Sequence, residues 1–150
     1  MSIDNDIQQT KFRNEHQRSM VNLIFTYNWV MERLKDIFGR EDITPQQFNI
    51  LRILRGATTP LSTLQIRNRM LDKMSDTSRI VDRLIRKDLA TKVICKTDRR
   101  LVDVTISEKG LALLDKLDAY TEEMDGILGQ LSSEEAKTLN QLLDKLRNSE

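Results

Sequence analysis

The segment that follows Asp98 restricts the possible folds of this chain more than any other. Its residues alternate between an apolar and a polar face, with Val102, Val104 and Ile106 on one side and Asp103 and Thr105 on the other. This period-two pattern is typical of a half-buried strand. A partner strand is predicted at 90–96, and the tip between the two carries Asp98, Arg99 and Arg100. A hairpin with a cationic tip, directly after a basic helix, indicates contact with a phosphate backbone or a narrow minor groove.

Charge is distributed unevenly along the chain, although the whole sequence carries a formal net charge of only +1. Residues 67–100 contribute +6, residues 101–150 contribute −6, and the first 66 residues contribute +1. A basic middle segment indicates a polyanionic partner. The alternative at this point is a solvated helix face.

Length and composition indicate one cytoplasmic domain. The 150 residues are enough to bury a core, and the chain has no apolar run of about 18 residues that would span a membrane. Its start lacks the basic and apolar regions of a signal peptide. The single cysteine, Cys95, excludes an intramolecular disulfide and is interpreted as a small buried side chain of the first strand. Without a Gly-rich loop, a Cys/His cluster or a nucleophile–base pair, the sequence predicts neither a cofactor, nor a metal site, nor an enzyme.

Apolar periodicity predicts two long helices near the ends of the chain. The first begins between Asp6 and Asn14, ends near Gly39, and has an apolar stripe of Met20, Ile24, Tyr27, Met31, Leu34 and Phe38. The second follows Gly110 and has the stripe Leu113, Leu117, Tyr120, Met124, Ile127 and Leu131.

Capping chemistry predicts four further helices. Capping boxes begin at Thr44, Ser62 and Ser132, and the first of these helices is expected to end at Gly56. Ser75 is predicted to cap a helix over 76–87, with an acidic residue in its first turn.

The predicted order is a long helix, three short helices, a β-hairpin, a long helix and a final helix. Three short helices followed by a two-stranded hairpin are typical of a winged helix-turn-helix. The flanking helices carry apolar stripes that would be exposed to solvent in a monomer and buried in a symmetric dimer. We therefore predict one mostly α domain over 1–150. In it, 43–106 form a winged helix-turn-helix DNA-binding region, and 1–39 and 107–150 form a helical dimerisation region.

Several motifs together resemble the MarR family of bacterial transcriptional regulators. The resemblance covers roughly 20–117 and rests on four segments: Thr44-Pro45-Gln46-Gln47-Phe48, Pro60-Leu61-Ser62, Ser78-Arg79-Ile80-Val81-Asp82-Arg83-Leu84, and Asp98-Arg99-Arg100 with Gly110. Two residues depart from the family pattern, because Arg67 replaces a frequent alanine and Asp88 replaces a usual glycine after the recognition helix. The resemblance implies a homodimeric, sequence-specific DNA-binding regulator, a repressor, that acts on palindromic operators in double-stranded DNA.

The resemblance also implies a role for each residue near the start of the recognition helix. Its leading half, with Ser75, Asp76, Thr77, Ser78 and Arg79, would enter the major groove. Arg79 is predicted to contact a base, with a phosphate contact as the open alternative. Ser75, Thr77 and Ser78 are predicted to donate to phosphates.

Further DNA-binding residues lie later in the motif. Arg83 is assigned to the DNA-binding set, with the open alternative that it forms a local ion pair with Asp82 that orients the helix. At the hairpin tip, Arg100 and then Arg99 are predicted to reach the minor groove, braced by Asp98.

Family members bind small effectors, which implies a pocket between the first helix, the second helix and the helix after the hairpin. Tyr27 and Phe48 would line this pocket, and Arg52 or Arg18 would face a carboxylate on a small aromatic ligand. The alternative for the aromatic residues is the core or the dimer interface. The alternative function for the whole chain is a helical protein-interaction module that docks an acidic partner through its basic face.

Overall fold

The computed structural model describes residues 2–94, 98 and 102–148. Within these residues the elements follow in the order α1 (Ile3–Asp6), α2 (Glu15–Gly39), α3 (Pro45–Gly56), β1 (Leu61–Ser62), α4 (Thr63–Arg69), α5 (Thr77–Arg86), β2 (Ala90–Ile94), β3 (Val102–Ile106), α6 (Glu108–Leu117), a 3-10 turn (Asp118–Tyr120), α7 (Thr121–Gly126) and α8 (Ser133–Arg147). In the described part of the chain, no helix is long and apolar enough to cross a membrane.

The capping boxes predicted from the sequence begin α3 and α4. The Thr44 hydroxyl accepts the Gln47 N–H at 3.1 Å, and the Gln47 side-chain oxygen accepts the Thr44 N–H at 3.2 Å. Ser62 and Gln65 make the same reciprocal pair at 3.2 and 2.9 Å. Each pair satisfies two backbone donors that the first turn of a helix would leave free, which fixes where the helix begins.

The sheet has three antiparallel strands in the order β1-β3-β2. Leu61 of β1 lies opposite Val104 of β3, and Ala90 of β2 lies opposite Ile106. The predicted fold class is therefore confirmed, as a helical protein with a small sheet. The sheet also contains a third strand, β1, which pairs with β3 and which the sequence analysis did not predict.

A single core surrounds α3, which contributes the fully buried Ile50 and Leu51. Leu84 of α5, Val104 of β3 and Leu114 of α6 pack into the same cluster and are equally inaccessible. Because the inward side chains of α5 are held in this core, its opposite face is left at the surface.

The structure differs from the predicted helices at both ends. A short helix, α1, precedes α2. The predicted second long helix begins earlier than expected, because Ser107 caps α6 by accepting the Gly110 N–H at 3.0 Å. It is also interrupted by the 3-10 turn, where the Thr121 hydroxyl donates to the Asp118 carbonyl at 2.8 Å.

Candidate nucleic-acid interface

Helix α5, the predicted recognition helix, is capped by Asp76 and not by Ser75. The Asp76 carboxylate accepts the Arg79 N–H at 3.2 Å. The Ser75 hydroxyl instead donates to the Asp72 carbonyl at 2.7 Å, which corrects the predicted cap by one residue. An anionic cap complements the positive end of the helix dipole and holds the backbone of Arg79 in place.

One face of α5 is exposed and carries three cations. The basic face of α5 consists of the exposed side chains Ser78, Arg79, Arg83 and Arg86. Thr77 was predicted to donate to a phosphate, but its side chain is only 3% exposed and its hydroxyl is buried. In this geometry Thr77 points into the protein, and that prediction is corrected. Ser75 is half-buried and remains beside the surface.

Asp82 forms an ion pair with the sheet. Its carboxylate lies 3.7 Å from the Lys92 ammonium of β2, and both side chains are about half exposed. The prediction of a local Asp82–Arg83 pair is corrected accordingly, since adjacent residues on a helix do not face each other. The contact joins α5 to β2, although an exposed pair of this kind contributes little to stability.

The turn between α4 and α5, residues 70–76, is held by a series of hydrogen bonds. The Asn49 side-chain oxygen accepts the Leu71 N–H at 3.0 Å, and the Asp72 carboxylate accepts the Met74 N–H at 3.0 Å. The Arg67 guanidinium donates to the Lys73 carbonyl at 3.4 Å, so this departure from the family pattern adds a contact to the turn.

The other end of α5 is joined to α6. Asp88 adopts the left-handed conformation with φ of 61°, the conformation that the usual glycine would supply there. The Ser107 hydroxyl donates to the Asp88 carbonyl at 2.6 Å, and the Ser107 N–H donates to the Leu89 carbonyl at 3.1 Å. The Lys109 ammonium donates to the Lys87 carbonyl at 3.0 Å. We call this set of contacts the α5–α6 joint.

Gly110 is required for the close approach at the α5–α6 joint. A Cβ added there would lie 2.3 Å from the Leu89 carbonyl oxygen and 2.7 Å from Ile106 Cγ1. Neither backbone carbonyl nor branched side chain can yield easily, so this position excludes larger residues.

The predictions for the hairpin tip are only partly within the described residues. Asp98 is half-buried, whereas Arg99 and Arg100 lie outside the described residues, as does Cys95. In the described part of the chain, no group of His, Cys, Asp or Glu is arranged to hold a metal ion.

A cavity of about 230 Å³ lies between α2, α3 and the α4–α5 turn. Three of the four residues predicted for an effector pocket line it, namely Tyr27, Phe48 and Arg52. The fourth, Arg18, is not among its lining residues, because its guanidinium pairs with Asp4 at 3.3 Å near the start of α2. That part of the prediction is corrected.

Other lining residues were not predicted for the pocket. Its walls also include Met31, Leu34, Asn49, Met70 and Met124. Met31, Leu34 and Met124 belong to the predicted apolar stripes. The sequence showed that they are apolar, but it could not show that the fold brings them together around one cavity. Asn49 has no local pattern that would single it out.

Two ion pairs join α2 to the helices after the hairpin, away from α5. The Arg40 guanidinium donates two hydrogen bonds of 2.7 Å to Glu123, which lower the pKa of Glu123 below its usual value and raise that of Arg40. Lys116 lies 2.9 Å from Glu41, and this hydrogen bond raises the pKa of Lys116.

Similar proteins were found by sequence, although no family model matches the chain. The HTH-type transcriptional regulator MhqR of Bacillus subtilis is 27% identical over 122 residues, which cover 80% of this chain and 83% of that protein. The HTH-type transcriptional regulator PecS of Dickeya dadantii is 28% identical over 116 residues, covering 75% and 70%.

Solved structures extend the comparison. The MarR transcription factor from Planctomyces limnophilus is 29% identical with a TM-score of 0.69, covering 89% of this chain and 98% of that one. These regulators each match most of this chain, and together they support the MarR family that its sequence resembles. Because these relatives are transcriptional regulators, they do not favour the alternative of a helical protein-interaction module.

Two structures that are less similar in sequence also share the fold of this chain. A mutant of E. coli MarR complexed with operator DNA has a TM-score of 0.81 at 21% identity, covering 92% of this chain and 99% of that one. BpsR of Bordetella bronchiseptica, whose DNA binding is regulated by 6-hydroxynicotinic acid, has a TM-score of 0.79 at 20% identity, covering 94% and 100%.

Proposed function

We propose that this MarR-family protein is a homodimeric repressor that reads operator DNA with α5. The observation that carries the proposal is the basic face of α5, on which three exposed arginines lie together on a helix held by hydrogen bonds at both ends. Arg79 is suited to a base contact because its backbone is held by the Asp76 cap and its guanidinium can bind guanine O6 and N7 together. Arg83 and Arg86 lie further along the helix and would bind phosphates.

The DNA-binding and dimerisation regions of this proposal have the bounds predicted from the sequence. We propose that 43–106 bind DNA, with Arg99 and Arg100 in the minor groove, and that 1–39 and 107–150 dimerise. Apolar side chains exposed in the single chain support the second part, with Ile24 and Tyr27 of α2 each 57% exposed and Leu142 and Leu146 of α8 59% and 66% exposed. A second copy would remove these surfaces from water.

Selection of bound fragments from a random DNA library tests the operator proposal. A two-fold dimer presents two α5 helices to one face of the duplex, so the selected site should be an imperfect palindrome with half-site centres about 10 base pairs apart. The affinity should fall steeply and linearly in a plot of log affinity against log salt. One asymmetric protected half-site, or binding without sequence preference at moderate salt, would contradict the proposal.

We also propose that the cavity holds a small aromatic effector that relieves operator binding. Tyr27 and Phe48 supply aromatic walls, and Arg52 supplies a cation for a carboxylate on the ligand. The regulation of BpsR by 6-hydroxynicotinic acid, an aromatic carboxylate, supports this ligand class. Titration of operator complexes with benzoate tests it, and Arg52→Leu should weaken the response to benzoate.

We propose no enzymatic activity, because the relatives are transcriptional regulators. A cytoplasmic location follows from the proposed function, since a regulator must reach the chromosome.

A further inference from the structure

Asn49 of α3 lies between the cavity and the α4–α5 turn. It lines the cavity, and its side chain is 5% exposed. Its oxygen accepts the Leu71 N–H at 3.0 Å. Because a peptide N–H can only donate, the oxygen must face Leu71, and the NH2 group is directed elsewhere.

That NH2 group is buried and has no hydrogen-bond partner among the described residues. A buried donor without an acceptor is costly, and most buried polar groups in proteins are paired. The cavity walls beside it are mainly apolar, with Leu34, Phe38, Phe48 and Met70 among them. Among the described residues no acceptor lies within hydrogen-bonding distance of this donor, so an oxygen on a molecule in the cavity would satisfy it.

The same side chain is connected to the leading end of α5. Leu71, which it holds, is followed by Asp72, whose carboxylate accepts the Met74 N–H and whose carbonyl accepts the Ser75 hydroxyl. The next residue is Asp76, the cap of α5. Hydrogen bonds and six consecutive residues, Leu71 to Asp76, therefore connect Asn49 to the backbone of Arg79.

We propose that Asn49 is the residue that recognises the effector and links the cavity to the recognition helix. Its NH2 group donates to an oxygen on an aromatic ligand. When the ligand displaces the Asn49 amide, the Leu71 N–H moves with it, because the Asn49 side-chain oxygen accepts that N–H. The ligand class is a single aromatic ring that carries a carbonyl, phenolate or carboxylate oxygen on its buried edge. The inference rests on the effector part of the proposed function and assigns its specificity and its transmission to one side chain.

Acetophenone and isopropylbenzene form a suitable pair of probes, because they have nearly the same shape and differ in the acceptor oxygen. On the wild-type protein, NMR should show the Asn49 side-chain NH2 resonances shifting with acetophenone and not with isopropylbenzene. Acetophenone should bind about tenfold more tightly, the effect of satisfying one buried donor. It should also weaken operator binding about fivefold or more, and by linkage the operator should weaken acetophenone binding by the same factor.

Asn49→Leu removes both polar atoms at similar volume, and Gln46→Leu is its matched control. Gln46 lines the same cavity, and within the described part of the chain its side chain makes no hydrogen bond to the α4–α5 turn. In Asn49→Leu the two probes should bind equally and the effect of acetophenone on operator binding should disappear, whereas Gln46→Leu should keep both. The wild-type NMR result decides the recognition step even if Asn49→Leu folds poorly.

The outcomes separate this inference from the function on which it rests. If both probes bind the wild type equally, or if acetophenone still weakens operator binding in well-folded Asn49→Leu, the role of Asn49 is wrong and the cavity remains an effector site. If neither probe binds in the cavity, the effector proposal fails and this inference fails with it. Operator binding by α5 would stand in either case.

Discussion

Gly110→Ala should destabilise the protein by breaking the α5–α6 joint. The added Cβ would lie 2.3 Å from the Leu89 oxygen, about 1 Å inside a normal contact of roughly 3.3 Å. Leu89 cannot move freely, because its carbonyl accepts the Ser107 N–H at 3.1 Å. Overpacking costs about 1–3 kcal/mol and a lost hydrogen bond about 1 kcal/mol. The better helix propensity of alanine stabilises the folded state by up to about 1 kcal/mol. The free energy of unfolding should therefore fall by about 1–3 kcal/mol in total.

Gly126→Ala is the matched control for this substitution. It lies in α7, and an added Cβ there would meet no atom within 4 Å. Only the difference in helix propensity applies there, so the free energy of unfolding of the control should rise by up to about 1 kcal/mol. The two variants should therefore differ by about 2–4 kcal/mol, or roughly 5–15 °C in Tm for a chain of this size. Thermal and urea unfolding should be compared at one protein concentration, because dimerisation adds to stability. Equal Tm values would refute the reasoning from the close contact.

Three further substitutions test the interface, the ion pair and the dimer. Arg79→Ala should cost roughly 1–3 kcal/mol on the selected operator and relax preference at one base position per half-site, whereas uniform losses across a DNA panel would reduce Arg79 to a phosphate contact. The hydrogen bond from Arg40 lowers the pKa of Glu123 from its usual 4.5, so the stability this pair contributes is present above that value and is lost as pH falls through the lowered pKa. Urea midpoints from about pH 6 to about pH 3 should therefore fall more in the wild type than in Glu123→Gln, and parallel curves would contradict this. Leu142→Glu should shift the protein towards monomer in ultracentrifugation and weaken operator binding, while Asn140→Glu, on the opposite side of α8, should do neither.

The parts of the fold that sequence predicted are those specified by neighbouring residues. The boxes at Thr44 and Ser62 carry both of their hydrogen-bonding partners within four residues, so the start of α3 and of α4 was predictable. The alternation in β3 and the apolar spacing in α2 are equally local. These signals together were enough for the fold class and the family.

The parts that sequence did not predict depend on residues far apart in the chain. β1 has two residues, too few for a periodic pattern, and forms because Leu61 meets Val104. Ser75 had the composition of a cap, but the preceding turn uses its hydroxyl and leaves the role to Asp76. Asn49 resembles any polar residue of an amphipathic helix until Leu71 is brought beside it. The residues that bind a base, a phosphate or an effector remain predictions.

The α5–α6 joint has a mechanical consequence for how the proposed operator binding would be switched off. The joint holds the C-terminal end of α5, whereas the predicted base contact lies at the N-terminal end. Ten residues of helix separate the ends by about 15 Å, so a tilt of roughly 10° about the joint would move the leading end by about 2.6 Å. Hydrogen bonds to base edges tolerate only about 0.5 Å between their short and long limits. If the hydrogen bonds that hold the N-terminal end of α5 were to shift, a small tilt about Leu89 would therefore be enough to break the proposed base contact, without a large domain movement.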